Sequence, residues 1–187
     1  MERIALIVVD MQNRFKDGGK CILENITKLI TFFHENNCPV FFTQHQDPDP
    51  ESLINKRWNL PITFGKKDWK LMKEIEEQID LENDVRIDEK TTYDSFYKTP
   101  LKEKLDNKSV DTVVVCGVMT HLCCETTARS AFIRNFNVLF VSDANWTSSE
   151  KFQKATLRTL GHGFAEIIQT NQFIKSKKKE NSKKKEK

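Results

Sequence analysis

Short apolar runs rich in β-branched residues alternate along the chain with segments whose apolar positions recur at helical spacing. The runs are typical of buried strands and the segments of amphipathic helices. The predicted strands are 4–9, 39–43, 85–87, 112–116, 138–141 and 164–168. The predicted helices are 25–36, 69–80, 100–107, 120–135 and 149–160. This alternation predicts a three-layer α/β/α sandwich around a mainly parallel, Rossmann-like sheet of about six strands.

One long stretch shows neither pattern. Residues 44–68 contain Asp-Pro-Asp-Pro and Trp58 and are predicted to form a loop of 25 residues. Loops of that length are uncommon in compact domains and tend to be functional. We therefore expect a lid over a site or a subunit interface.

Composition and charge divide the chain into a folded body and a tail. Of 187 residues, 38% are hydrophobic, and no apolar run is long enough for a membrane span. The net charge is +3, but residues 175–187 hold eight Lys and two Glu, which leaves residues 1–174 at −3. We predict one domain over 1–174 and a disordered, solvated tail over 175–187. The body is not expected to bind nucleic acid specifically.

The cysteine count favours free thiols. Five Cys is an odd number, and no Cys-x-x-C or metal-type Cys/His cluster is present. No signal-peptide cleavage region follows Met1-Glu2-Arg3, so we expect a cytoplasmic protein with reduced cysteines.

Three chemically distinct side chains follow predicted strands. Ligands of open parallel sheets bind beyond the carboxyl ends of the strands. Asp10 follows the first strand, Lys90 the third and Cys123 the fourth, so the three can meet at one edge. Taken alone, Asp10 is more typical of a turn or cap and Lys90 of a solvated lysine. A buried Lys90 ammonium would need a carboxylate partner, for which Asp10 is suited.

Two adjacent cysteines begin the helix after the fourth strand. Cys124 falls on the apolar stripe with Ala128 and Ala131 and is expected in the core. Cys123 lies about 100° around the helix and is free to face the edge. The amino end of a helix favours a thiolate there, although a structural role is as common for a cysteine in this position.

Three stretches of the chain resemble motifs of the isochorismatase-like, or cysteine hydrolase, family. They are ALIVVDMQN at 5–13, EK with YDSF between 89 and 96, and GVMTHLCCETTA at 117–128. The third is specific, and the resemblance covers nearly all of the body. It implies an amidase that cleaves a small-molecule C–N bond through a thioester, without a cofactor.

The resemblance also implies a role for each site residue. Cys123 would be the nucleophile, Asp10 the proton carrier, and Lys90 the cation that holds Asp10 and supports the thiolate. A cis peptide would fall at Val118-Met119, so that the N–H groups of Met119 and Cys123 face the oxyanion. Such a donor contributes roughly 10²–10³ in rate.

Departures from subfamily patterns narrow the implied substrate. Metal-dependent nicotinamidases of the family hold their metal with Asp-x-His and a second His, whereas this chain has Thr43-Gln44-His45 and no further His in the loop. We therefore expect no metal and do not favour that subfamily. Vinyl-ether-cleaving isochorismatases carry Gly at the position of Cys123, but His121 fits their pattern, so this activity stays open. A catalytically silent binding protein, with the tail as docking segment, is a further alternative.

Substrate contacts and assembly complete the expectations. Residues expected to border the substrate are Phe15, His45, Trp58, Tyr93, Phe96 and His121. The family resemblance implies a small-molecule substrate and a homodimer or homotetramer.

Overall fold

The protein is described by a computed structural model that covers residues 3–59, 61–62 and 64–185. Its centre is a six-stranded parallel sheet, which confirms the predicted fold class. The strands are β1 Ile4–Val9, β2 Val40–His45, β3 Val85–Lys90, β4 Thr112–Val118, β5 Asn137–Trp146 and β6 Glu166–Ile168.

The order of the strands puts β1 and β4 at the middle of the sheet. The order is β3-β2-β1-β4-β5-β6, with the direction of strand addition changing between β1 and β4. Every residue of β1 is buried, as expected of an apolar run in a parallel sheet covered on both faces. The carboxyl ends of β1 and β4 therefore open onto the crevice where such sheets bind ligands.

Helices cover both faces of the sheet. They are α1 Lys16–Gly19, α2 Leu23–Glu35, α3 Leu53–Trp58, α4 Lys73–Glu76, α5 Leu101–Asn107, α6 Glu125–Ile133, α7 Glu150–Gly163 and α8 Thr170–Lys185. Helices α2 and α8 pack on the face that carries Leu6 and Val8. Helices α5, α6 and α7 pack on the face that carries Ile7 and Val9. The two cores lie on opposite sides because successive side chains of a strand alternate between faces.

The stretch between β2 and β3 differs from its prediction at two points. Within the expected loop, Ser52 accepts a hydrogen bond from the Asn55 backbone at 3.0 Å and caps α3. The expected helix over 69–80 shrinks to α4, because Leu71 pairs with Gln12 and the Met72 N–H donates to the Met11 carbonyl at 2.9 Å. These contacts hold the start of that segment extended beside the chain leaving β1.

The lysine-rich end is helical where disorder was expected. Helix α8 continues to Lys185, and residues 186–187 lie outside the described residues. Asp143 Oδ1 accepts hydrogen bonds from the Thr170 N–H and hydroxyl, each at 2.8 Å. Phe173 is buried against Phe32 and Phe33. This docking nucleates a helix that Lys and Glu, which have high helix propensity, then extend.

No helix in the part of the chain that the structure describes has both the length and the apolar composition needed to cross a bilayer.

Candidate active site

Asp10, Lys90 and Cys123 come together at the carboxyl edge of the sheet. Asp10 directly follows β1, Lys90 ends β3, and Cys123 lies in a π-helical turn, Thr120–Cys124, that follows β4. The Lys90 Nζ lies 2.6 Å from Asp10 Oδ2 and 3.5 Å from Cys123 Sγ. All three residues are buried, and π-helical turns of this kind often carry functional residues.

Lys90 reaches its partner across an intervening strand. Strand β2 separates β3 from β1, and the long lysine side chain spans that gap over the end of β2. A cationic side chain shorter than lysine could not span this gap, and a solvent-exposed cation would be screened by water. The pair is completely buried, where a lone carboxylate or ammonium would be strongly disfavoured.

The electrostatics of the ion pair favour charged Asp10 and Lys90. Burial alone would raise the pKa of Asp10, but the Lys90 charge and hydrogen bonds from Lys90 and Thr43 hold it below its usual value. Burial alone would lower the pKa of Lys90, but Asp10 and Cys123 hold it above its usual value. At neutral pH the pair therefore exists as carboxylate and ammonium.

The thiol of Cys123 differs from the sequence expectation. Burial raises its pKa to about 12, the Lys90 charge opposes that rise, and the Asp10 charge adds to it. Cys123 is only 8% exposed, so burial works against the thiolate that the helix end was expected to favour. The site therefore favours a neutral thiol beside the Asp10–Lys90 ion pair.

The neighbouring backbone has the expected geometry around Cys123. The peptide bond between Val118 and Met119 is cis. Gly117, just before it, has φ of +125°, a conformation that side chains rarely adopt. The Cys124 N–H donates to the carbonyl of Met119, five residues earlier, at 3.2 Å, and this spacing defines the π-helical turn.

A cavity of about 280 Å³ opens directly onto Cys123. It contains four of the expected substrate contacts, Phe15, His45, Trp58 and Tyr93. The other lining residues are Arg14, Ile54, Ile62, Met119 and Leu122. Helix α3 supplies Ile54 and Trp58, so the described part of the stretch 44–68 contributes a wall of the cavity.

Two expected substrate contacts lie elsewhere. Phe96 is buried in the core and stacks near Phe136, with ring centroids 6.0 Å apart. His121 stacks on Phe152 at 4.4 Å and bonds Thr147 through Nδ1 at 2.8 Å. Neither residue lines the cavity. Both follow a strand end, but their side chains pack against Phe136 and Phe152 and do not line the cavity.

Polar contacts fix the walls of the cavity. Gln12 donates to the carbonyls of His45 at 2.9 Å and Trp69 at 2.7 Å, and accepts from the His45 N–H at 2.9 Å. Across the cavity, Trp58 Nε1 donates to the Tyr93 hydroxyl at 2.7 Å. The Gln12 contacts join three segments distant in sequence, so no local pattern could have indicated them.

His45 contributes a neutral ring to the cavity. Burial and the nearby Lys90 charge together lower its pKa to about 4, against the opposing charges of Asp10 and Asp47. Its Nδ1 is buried without a hydrogen-bond partner. Arg14 is therefore the one charged side chain among the described lining residues, and its nearest acid is the exposed Asp68 at 3.7 Å.

The described residues do not form a metal centre. Within 3–59, 61–62 and 64–185, no group of three or more His, Cys, Asp or Glu is placed to hold an ion. Near His45, Asp47 accepts a hydrogen bond from Ser52, and the Thr43 hydroxyl donates to Asp10. These oxygen atoms already have partners within the protein.

The chain is similar in sequence to a known family and to known proteins. The family model for the isochorismatase domain matches residues 4–172. Nicotinamidase 3 of Arabidopsis thaliana is 39% identical over 175 residues, covering 92% of this chain and 87% of that protein.

Two solved structures extend the similarity to the fold. A cysteine hydrolase from Pseudomonas syringae pv. phaseolicola 1448A superposes with a TM-score of 0.84 at 27% identity, covering 92% of this chain and 91% of that one. An N-carbamoylsarcosine amidase from Thermoplasma acidophilum superposes with a TM-score of 0.78 at 25% identity, covering 91% and 97%.

Proposed function

The chain belongs to the isochorismatase family, and we propose that it is a cysteine amidase that hydrolyses a small, uncharged amide through a Cys123 thioester. The observation that carries the proposal is the buried contact of Lys90 with both Asp10 and Cys123 at the base of a cavity. A nucleophile, a base and an orienting cation within bonding distance are the parts that covalent amide hydrolysis requires.

Each half of the reaction uses the same proton carrier. Cys123 Sγ attacks the amide carbon while its proton passes to Asp10, and Lys90 stabilises the charge that develops on sulfur. Asp10 then gives the proton to the leaving nitrogen as the C–N bond breaks, which releases ammonia or an amine. Water attacks the thioester, gives a proton to Asp10, and the proton returns to sulfur as the acid leaves.

Backbone donors would stabilise the tetrahedral intermediates. The Met119 and Cys123 N–H groups flank the nucleophile, and we assign them to the negative oxygen that forms twice in the cycle. Backbone donors suit this role because they are fixed before the reaction and need no reorganisation. Lys90 remains engaged with Asp10 and is not required at that oxygen.

The walls of the cavity favour a small flat ring. Phe15, Trp58 and Tyr93 provide aromatic surface, and the volume of about 280 Å³ suits a single ring with a carboxamide. The relative of 39% identity is named a nicotinamidase, which makes nicotinamide the first candidate substrate. We propose that it would be held without a metal, since the described residues place no group of three or more His, Cys, Asp or Glu side chains to hold one. Chelation with EDTA should leave the rate unchanged.

A panel of substrates tests the proposal. Purified protein is offered nicotinamide, benzamide and N-carbamoylsarcosine, and ammonia release is measured. We expect turnover of at least one aromatic amide, and background rates for Cys123→Ala. Cys21→Ala is the matched control, because Cys21 is an exposed free cysteine outside the cavity. Full turnover by Cys123→Ala would exclude the thioester route.

The same panel covers the alternatives. The vinyl-ether activity was kept open by His121, which lies outside the cavity, so isochorismate is included as a control substrate. Cleavage of isochorismate by both wild type and Cys123→Ala would favour that activity. No turnover of any compound, with Cys123 unreactive toward iodoacetamide, would favour a binding protein.

Assembly and location belong to the same proposal. Phe132, Ile133 and Phe152 expose apolar surface on α6 and α7, which supports a homodimer or homotetramer. Light scattering of the purified chain measures the oligomer directly. We propose that the protein acts in the cytoplasm, where its free thiols would remain reduced.

A further inference from the structure

We propose that Thr43 is the positioning residue that fixes the Asp10 carboxylate and keeps it ionised for catalysis. The inference rests on the proposed function, in which Asp10 receives the thiol proton. Nothing in the local sequence indicated this role, because Thr43 and Asp10 are 33 residues apart and meet only through the pairing of β1 with β2.

The hydroxyl of Thr43 serves Asp10 through both its donor and its acceptor. It donates to Asp10 Oδ1 at 2.6 Å and accepts from the Asp10 backbone N–H at 3.2 Å. That N–H also reaches the Thr43 carbonyl at 3.2 Å. Both residues have no exposed surface. The hydroxyl proton of Thr43 is therefore committed to the carboxylate.

The two carboxylate oxygens have different partners. Thr43 holds Oδ1 and Lys90 holds Oδ2 at 2.6 Å, so the plane of the carboxylate is fixed from two strands. Lys90 Nζ also lies 3.5 Å from Cys123 Sγ, so the thiol lies beside the same ion pair. Loss of the Thr43 bond would let the carboxylate rotate about Lys90 and would disturb the alignment that proton transfer needs.

The hydroxyl also favours the charged form of Asp10. A short hydrogen bond from a hydroxyl to a carboxylate is strong in a buried site, and it weakens when the acid is protonated. Other ionisable groups around Asp10 are Lys90 on β3, His45 on β2, and Cys123 and Cys124 in the π-helical turn. None of these four ionisable residues is substituted in the variants described below.

The test compares Thr43→Val, which has nearly the same shape without the hydroxyl, with Thr43→Ser, which keeps it. The measurement is kcat/KM against pH, whose acidic limb reports ionisation of the essential base in the free enzyme. Thr43→Val should move the acidic limb to a pH about one unit higher, which lowers kcat/KM roughly tenfold at pH values below the limb. Thr43→Ser should leave the limb where it is in wild type. Thr43→Ala replaces the Val variant if that one does not fold.

Thr156→Val is the matched control. Thr156 is a buried threonine on α7 that donates to a carboxylate, Glu125, at 2.7 Å, but it lies outside the cavity. Its substitution should leave the acidic limb in place. An unmoved limb in Thr43→Val, or an equal move in Thr156→Val, would overturn the proposal.

A second readout separates this inference from the proposed function. If wild type hydrolyses none of the amides, the proposed function fails, and the role of Thr43 is tested by carboxyl ¹³C NMR. Asp10 is assigned with Asp10→Asn, and its titration is followed directly. A higher midpoint in Thr43→Val than in wild type and Thr43→Ser supports the role, and equal midpoints contradict it.

Discussion

A single buried lysine determines the charge of the candidate site. Lys90 has no exposed surface and contacts both Asp10 and Cys123. It permits a carboxylate to exist in a buried site, and it lies 3.5 Å from the sulfur of Cys123. In the proposed mechanism, Asp10 depends on this cation in the resting state and Cys123 depends on it during the reaction.

Replacing Lys90 with Met should destabilise the fold as well as abolish turnover. Removing one partner leaves the Asp10 carboxylate buried and unpaired, so we expect the free energy of unfolding to fall by about 3–5 kcal/mol. Urea unfolding at neutral pH measures it. The double variant Asp10→Asn with Lys90→Met should recover most of the loss without restoring activity.

An exposed ion pair provides the control for that measurement. Lys28 and Glu24 also approach to 2.6 Å, but both side chains are largely solvated. Lys28→Met should change the free energy of unfolding by about 1 kcal/mol or less. A similar small effect for Lys90→Met would mean that the buried pair is not an ion pair in solution.

The neutral His45 ring should make stability depend on pH. Its pKa of about 4 lies below the usual 6.5 because burial disfavours the charged form. Between these values the unfolded chain binds more protons, so stability should fall by roughly 3 kcal/mol as pH decreases through the window. Urea midpoints measured from about pH 7 to pH 4 give the slope.

His45→Gln should remove most of that slope, because the titrating ring is gone. The control is His162→Gln, which removes an exposed histidine of α7 and should preserve it. An unchanged slope in His45→Gln would show that the ring is solvated in solution.

The sequence could predict those site residues whose position depends only on where a strand ends. Asp10, Lys90 and Cys123 were expected to meet because each follows a strand, and the structure brings them together. Thr43 and Arg14 were missed because their contacts depend on strand register and on the path of the chain after β1. Phe96 and His121 were placed incorrectly because a strand end does not specify side-chain direction.

At the scale of elements, the close contact of β1 with β4 brings Asp10 and the Cys123 turn to neighbouring strand ends. Val9 pairs with Gly117, and a Cβ at Gly117 would lie 2.1 Å from the Val9 carbonyl oxygen. Glycine therefore permits the approach of the two strands from whose ends Asp10 and the Cys123 turn emerge. Because it has no Cβ, glycine is the amino acid that tolerates both this proximity and a φ of +125° at position 117.

Gly117→Ala should strongly destabilise the protein, because the added carbon meets backbone atoms that cannot move aside. We expect a loss of about 3 kcal/mol or more in the free energy of unfolding. Gly163→Ala on α7 is the control, since a Cβ there meets nothing within 4 Å. Equal stability of the two variants, measured in urea, would contradict the described strand contact.

Element boundaries show what periodicity can and cannot predict. All six strands were expected from their short apolar runs, and β1 and β2 are buried throughout, as in a parallel sheet covered on both faces. The end of β3 was expected at 87, whereas the strand continues to Lys90 through polar residues whose pairing with β2 depends on the partner strand. The short α4 has the same explanation, since tertiary pairing held its first residues extended.

At the scale of the whole molecule, the candidate site lies at the carboxyl edge of the sheet, and α8 packs on one face of the sheet. Phe173 anchors α8 against Phe32 and Phe33, while Lys175, Lys178 and Lys179 are exposed and Lys177 is partly buried. The anchor and the lysine-rich segment should therefore contribute very differently to stability.

Deletion of residues 175–187 should change the free energy of unfolding by about 0.5 kcal/mol and leave amide hydrolysis intact. Phe173→Ala, in contrast, should cost about 3–5 kcal/mol, since it empties a buried aromatic position. Thermal or urea unfolding of the two variants measures the difference. Loss of hydrolysis in the deletion variant would link the tail to catalysis.

The thioester at Cys123 is the central claim, and mass spectrometry of the protein quenched in acid during turnover tests it most directly. The account predicts a mass increase equal to the acyl part of the amide, located on the peptide that contains Cys123. Cys123→Ala should show neither the increase nor turnover, while Cys21→Ala should show both. Steady turnover by Cys123→Ala, or an acyl group on another cysteine, would contradict the assignment of Cys123 as nucleophile.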